Sequence, residues 1–118
     1  MKQQKYDILI VGGGISGAMA GIAAARMGAR CLLAEEYGFL GGMLTAGGVG
    51  PMMTFHAGDV QVVRGVCGEL IQRMKKKGAS PGHIPDTTGY TYTVTPFDAE
   101  GMKETLEEMY LEAGGEVL

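Results

Sequence analysis

The 118-residue sequence has no tryptophan, two cysteines, two histidines and four prolines. Each scarcity excludes something. Cys31 and Cys67 lack CxxC spacing and lie in apolar context, Cys31 before Leu32 and Leu33 and Cys67 between Val66 and Leu70. That predicts buried free thiols in a reducing compartment, not a disulfide or a metal pair. His56 and His83 have no second His or Cys at ligand spacing, so no metal site is predicted. His83 reads as plain loop, and His56 as a loop histidine satisfied by backbone, with a role near a cofactor as the alternative. Positive charge is also short: 10 Lys and Arg against 13 Asp and Glu give a net charge of −3. A nucleic-acid footprint is therefore missing. The one basic cluster, Lys75-Lys76-Lys77 before Gly78, fits a helix C-terminus. No apolar run approaches the ~20 residues of a membrane span. Lys2 and Lys5 are followed by only a short apolar stretch, which is not a signal-peptide pattern. A cytoplasmic location is predicted.

Glycine, by contrast, is abundant, at 21 residues. It falls mainly at 12–17, 38–50 and 58–68 without a repeat period, which excludes collagen-like and low-complexity chains. Glycine gathered into a few loops implies backbone that approaches something closely. The remaining composition, 46% hydrophobic and 19% charged, suits one soluble globular domain.

Tyr6 to Val11 (YDILIV) reads as a strand buried on both faces, stopped by Gly12-Gly13-Gly14. Ile15 to Met27 is Ala-rich and predicts a helix with Ile15, Met19, Ile22 and Ala23 on its apolar face and Gly28 as terminator. Arg30 to Glu35 (RCLLAE) is a second buried strand, so the unit is a parallel βαβ crossover. Residues 37–62 show no sustained period, and a loop this long is functional or poorly ordered. Asp59 and Arg64 read as a surface pair. Arg64 to Lys77 predicts a second helix, residues 78–90 a loop, and Tyr90 to Val94 a short strand or flap. Asp98 reads as the N-cap of a third helix, with Glu100 in its first turn and Met102, Leu106, Met109, Tyr110 and Ala113 on its apolar face. The methionines, including Met19, Met27, Met74, Met102 and Met109, are expected to fill the core. Glu116-Val117-Leu118 looks like a strand start. Three residues are fewer than the usual 5–6 of a strand, so the architecture is expected to continue beyond residue 118.

The chemistry rests on Gly12-x-Gly14-x-x-Gly17 between a strand and a helix. Gly12 would make the tight turn, Gly14 would admit a pyrophosphate to the backbone, and Gly17 would let the helix pack on the strand. The phosphates would then sit at the helix N-terminus, at Ile15 and Ser16, with the Ser16 hydroxyl as an extra donor. Glu35 ends the second strand, 18 residues after Gly17, where a carboxylate accepts hydrogen bonds from ribose hydroxyls and repels a 2′-phosphate. Glu36 either contacts the adenosine or faces water. These residues by themselves specify an adenine dinucleotide and leave FAD and NAD open. The glycine-rich stretch Gly38 to Thr45 departs from the amphipathic crossover expected of an NAD domain.

DILIVGGGISGAMAGIAAARMGARCLLAEE, LGGMLTAGGVGPMMTFH, RGVCGELIQRMKKKG with SPGH, and TPFDAEGMKETLEEMYLEAGGEVL together resemble the FAD-dependent oxidoreductases of the two-dinucleotide-binding-domain flavoprotein class. The resemblance spans almost the whole chain in order. It implies FAD as cofactor, with its pyrophosphate at Gly12, Gly14, Ser16 and Gly17 and its adenosine ribose at Glu35. It also implies that Gly42, Met43 and Thr45 run along the cofactor toward the flavin. Many relatives carry a basic residue where Glu36 stands, and they continue for several hundred residues through a substrate domain.

The expected fold is therefore α/β, a partial doubly wound (Rossmann-like) parallel sheet with a long glycine-rich loop and flanking helices. The expected domain, 1–118, is an incomplete N-terminal FAD-binding domain without its substrate domain. The expected function is to hold FAD for a redox enzyme acting on a small molecule. A non-catalytic fragment of such an enzyme and an NAD-binding module are the alternatives. Self-association, or a partner chain supplying the rest of the fold, is expected of the isolated chain.

Overall fold

β-Branched and leucine residues open the first element, strand β1 (Ile8–Val11), in a computed structural model that describes residues 3–118. Helix α1 (Ile15–Arg26) follows the glycine turn and leads to β2 (Cys31–Ala34), which pairs parallel with β1 from Ile8 opposite Cys31 to Val11 opposite Ala34. The long segment 37–62 is partly regular. It holds a 3-10 turn over Gly42–Leu44 and an antiparallel hairpin of β3 (His56–Ala57) and β4 (Val60–Gln61). Helix α2 (Val66–Lys76) comes next, then a second hairpin of β5 (Ile84–Pro85) and β6 (Thr93–Val94). Helix α3 (Ala99–Glu112) and β7 (Glu116–Val117) end the chain, with β7 parallel to β2. The main sheet is thus ordered β1-β2-β7, all parallel, the β-α-β arrangement expected from the sequence.

The helix ends follow the local chemistry. Asp98 accepts the Gly101 N–H at 2.7 Å and so caps α3. Arg73, Lys75 and Lys76 occupy the last turn of α2, where the dipole favours cations, and Gly78 leaves the helix at φ +75°. Helix α1 carries Arg26 in its last turn but neither a side-chain cap nor an acidic residue in its first.

All three helices gather around one core. It contains Ala18, Ile22 and Ala25 of α1, Cys31 and Leu33 of β2, Leu70, Ile71 and Met74 of α2, and Met102, Leu106, Met109 and Tyr110 of α3. Tyr110 is its hub: its hydroxyl reaches the Cys31 and Glu116 carbonyls at 3.3 and 3.1 Å, joining α3 to both neighbouring strands. Two glycines make room for the ring. A Cβ at Gly21 would lie 2.7 Å from Tyr110 Cε2, and one at Gly115 would overlap the ring.

Several expectations need correction. Strand β1 is not buried on both faces: Leu9 is 61% and Val11 80% exposed, because the helices cover only the face to which Ile10 points and β1 is an edge strand. The inner face of α1 is Ala18, Gly21, Ile22 and Ala25, so Ile15 and Met19 are its margin and Ala23 is exposed. Met27 lies just past the helix in solvent instead of in the core. Arg64 donates to the Gln61 carbonyl at 2.8 Å and forms no ion pair with Asp59 among the described residues. Cys31 is buried and Cys67 half-buried, both as free thiols. No helix of the described residues is long and apolar enough to cross a membrane.

Candidate functional site

The site lies where β1 ends and α1 begins. Gly12 turns the chain at φ +95°, a conformation that L side chains rarely adopt, with its N–H still bonded to the Ala34 carbonyl at 2.8 Å. Gly17 faces back onto this turn, where a Cβ would run into the Gly12 carbonyl and crowd Ile10. It is the contact that lets helix and strand close up. Gly14 is the N-cap of α1 at φ −59°, and a Cβ there would meet only the Gly42 Cα, at 4.0 Å. The space before Gly14 is open. Helical bonding starts with the Ala18 N–H on the Gly14 carbonyl, so the first-turn N–H groups have no intrahelical acceptor. Without a capping side chain or an acidic residue, the positive end of the α1 dipole meets no protein anion within its own first turn.

One carboxylate does approach. Glu35, just past β2, accepts the Gly13 N–H at 2.5 Å through Oε2 and the Tyr37 N–H at 3.0 Å through Oε1. The Tyr37 N–H, with those of Gly13 and Glu36, holds its carboxyl below the usual carboxylate range against the opposing effect of desolvation. Glu35 is therefore ionised at neutral pH and hinged onto the glycine turn, with lone pairs left for further donors. Glu36 is exposed, as is Ser16 on the first turn of α1.

The third component is the second glycine run. Gly41, at φ +118°, donates to the Gly13 carbonyl at 2.9 Å and forms an isolated parallel bridge with Gly14. Gly42 lies so close that its Cβ would stand 2.8 Å from the Gly14 Cα. The two glycine stretches, far apart in sequence, thus touch backbone to backbone. Thr45 is buried, and its hydroxyl donates to the Leu40 carbonyl at 2.9 Å, bracing the 3-10 turn. Met43, on the same turn, is 65% exposed. Gly12, Gly14, Ile15, Gly17, Glu35 and Gly42 accordingly converge, with Ser16, Glu36, Met43 and Thr45 around their margin. Gly13 and Gly41 were missed in the sequence. Their signal was the GGG and GG runs, in which any one glycine can be the hinge.

The two histidines differ from expectation: neither His56, expected to be satisfied by backbone, nor His83, expected to be plain loop, stands alone, and each ring pairs with a threonine hydroxyl. Their rings are edge to face with centroids 5.2 Å apart. His56 Nδ1 pairs with Thr93 Oγ1 at 2.9 Å and His83 Nδ1 with Thr95 Oγ1 at 2.7 Å. Backbone bonds between Met52 and Thr95, at 3.0 and 2.9 Å, bring the segments together. Burial pushes the His83 imidazole below its ordinary value, with electrostatic repulsion from the neighbouring His56 and Lys75 side chains adding to it. No signal in the sequence could pair two loop histidines 27 positions apart. Among the described residues no group of three His, Cys, Asp or Glu is placed to hold a metal ion.

Comparison with known proteins bears on the fold and the family. The chain superimposes on Thermovibrio ammonificans THI4 with a TM-score of 0.56 and 23% identity, covering 96% of this chain and 38% of that one. It also superimposes on CabE, an aromatic hydroxylase from angucycline biosynthesis (TM-score 0.54, 16% identity, 98% and 24% coverage). A third match is the flavin-dependent brominase Bmp2 (0.52, 18%, 96% and 29%). At these identities the likeness is one of fold. The chain spans less than two fifths of the length of each. No protein with a curated description matches. The sequence profile described as FAD dependent oxidoreductase matches residues 7–118, nearly the full length. The chain therefore belongs to the FAD dependent oxidoreductase family, whose cofactor is FAD.

Proposed function

We propose that this chain is the FAD-binding portion of a flavin-dependent oxidoreductase and holds the ADP moiety at the glycine turn. The observation that carries this is Glu35: its carboxylate is fixed beside an uncapped helix N-terminus and an open Gly14. The pyrophosphate would rest before Gly14, Ile15, Ser16 and Gly17, neutralised by the helix dipole, since no lysine or arginine lies in this turn. Glu35 would take the adenosine ribose through the lone pairs that Gly13 and Tyr37 leave free. Beyond Gly42 and Met43, a recess of about 450 Å³ lined by Ile15, Leu44, Val49, Met53, Phe55 and Val63 suits the flat ring of the flavin, whose dimethylbenzene end is apolar. When bound, the flavin accepts or returns an electron pair in exchange with the substrate.

The test is Glu35→Ala. It removes charge-assisted hydrogen bonds to ribose and should weaken FAD binding by about 1–3 kcal/mol in isothermal titration. Glu35→Gln keeps an acceptor for the Gly13 N–H and should recover part of that loss. Equal affinity of the parent and the Ala variant would remove Glu35 from the site.

A further inference from the structure

The recess beside the glycine turn is not alone. A second one, of about 340 Å³, opens between the β5–β6 hairpin and the segment that carries Pro51 and Met53, two residues it shares with the first. Its walls are Ile84, Pro85, Tyr90 and Val94. No lysine, arginine or histidine lines it, and its only ionised group, Asp86, is already occupied. That carboxylate accepts the N–H groups of Thr88, Tyr90 and Thr91 at 2.9, 2.9 and 2.7 Å and the Thr88 hydroxyl at 2.7 Å. The whole loop 86–91 is wound around it. The wall that carries Tyr90 is thus shaped by its own hydrogen bonds before any ligand arrives.

We propose that this second recess is a substrate site for an uncharged, ring-bearing small molecule. The claim rests on reading the adjoining recess as the flavin's, because Pro51 and Met53 border both recesses and a substrate here would lie next to the cofactor. Its size falls in the range of small-molecule sites, about 300–1,000 Å³. Its apolar walls offer rings and aliphatic surface for stacking, with Met53 able to adapt its shape. The hydroxyls of Thr87, Thr88 and Tyr90 can orient a neutral polar substituent. An anionic substrate finds no cation there and meets the fixed charge of Asp86. It should be rejected.

The 118-residue chain, supplied with FAD, is titrated with naphthol and separately with naphthoate while the methionine methyl resonances are followed. Naphthol is expected to give a saturable shift at Met53 and none at exposed Met27 or at Met74 in the core. Naphthoate should bind at least tenfold more weakly. Val94→Trp fills the recess and should weaken naphthol tenfold or more, and Thr87→Trp, on the exposed loop, makes the same test with no burden on strand β6. Equal or tighter naphthoate binding, or naphthol binding unchanged in both Trp variants, overturns the proposal. So does a Met53 shift that follows protein dilution without any probe, since a second copy of the chain would then cover the recess. Absorbance at 450 nm on the same samples reads FAD separately. Naphthol binding without FAD would uphold the recess and defeat only the cofactor assignment.

Discussion

Gly14 and Gly17 share one motif but carry different loads, and substitution should separate them. Gly14 has an ordinary φ, and its Cβ would find only the Gly42 Cα at 4.0 Å. Gly14→Val is therefore expected to keep most of the helical circular dichroism. Its branched carbons would stand where the pyrophosphate meets the backbone, so FAD binding should be lost. Flavin retained by this variant through gel filtration would move the phosphates elsewhere. At the histidine pair the expectation concerns pH. His83 takes up its proton less readily in the folded chain than at the ordinary value of 6.5. Above that pH it is neutral folded or unfolded and changes nothing. As pH falls below 6.5 the unfolded chain binds the proton first, so stability is lost through that window. A histidine C2-proton titration should give His83 a midpoint below 6.5, and one at or above that value would contradict the burial argument. His83→Gln should remove the loss.

Between elements, the three helices are tied by a chain of ion pairs. Arg26 of α1 holds Glu69 of α2 with two bonds, at 2.6 and 2.8 Å. Glu69 also accepts from Arg73 at 3.0 Å, and Arg73 reaches Glu112 of α3 at 2.7 Å. The bond from Arg26, seconded by Arg73, holds the Glu69 carboxyl down at about 2. A depressed carboxylate stabilises the fold above its unfolded value and loses that contribution as pH falls through the folded one. These side chains are about a third exposed, so solvent screens them. Glu69→Ala is expected to cost about 1 kcal/mol in urea unfolding at pH 7. The difference between parent and variant should shrink between about pH 4.5 and pH 2. A gap that stays constant across that range would show that Glu69 acts through packing instead of charge.

The molecule as a whole is elongated, 57 × 25 × 24 Å, with a radius of gyration of 15.2 Å against about 13 Å for a compact chain of this length. The surplus is exposed surface, and much of it is apolar. Leu9 and Val11 lie bare on strand β1, while Val60, Val62 and Tyr90 project from the hairpin regions. An unpaired apolar edge strand recruits other strands. The isolated chain is expected to self-associate or to hold less than one FAD, and a charged pair, Leu9→Lys with Val11→Lys, should reduce the association. Light scattering with the ratio of absorbance at 450 to 280 nm makes the measurement. A monomeric mass with one tightly held FAD would contradict the expectation.

Sequence by itself determined what depends on near neighbours. The βαβ unit, the Gly12 turn, the Asp98 cap and the cationic end of α2 each follow from residues within a turn or a strand of one another, where periodicity and backbone chemistry act directly. The place of Glu35 beside the glycine turn was legible because strand and helix lengths fix how far an acid at the end of β2 lies beyond that turn. Tertiary structure alone decided what depends on which surfaces meet. It set the exposure of β1, since a strand cannot report how many of its faces are covered. It brought Gly42 onto Gly14 and His56 beside His83, contacts made by loops whose paths no local period encodes. It also drew the hydroxyl of Thr45 inward to brace a turn. The physical reason is that local rules fix the conformation of a segment, whereas burial and pairing are properties of two segments at once.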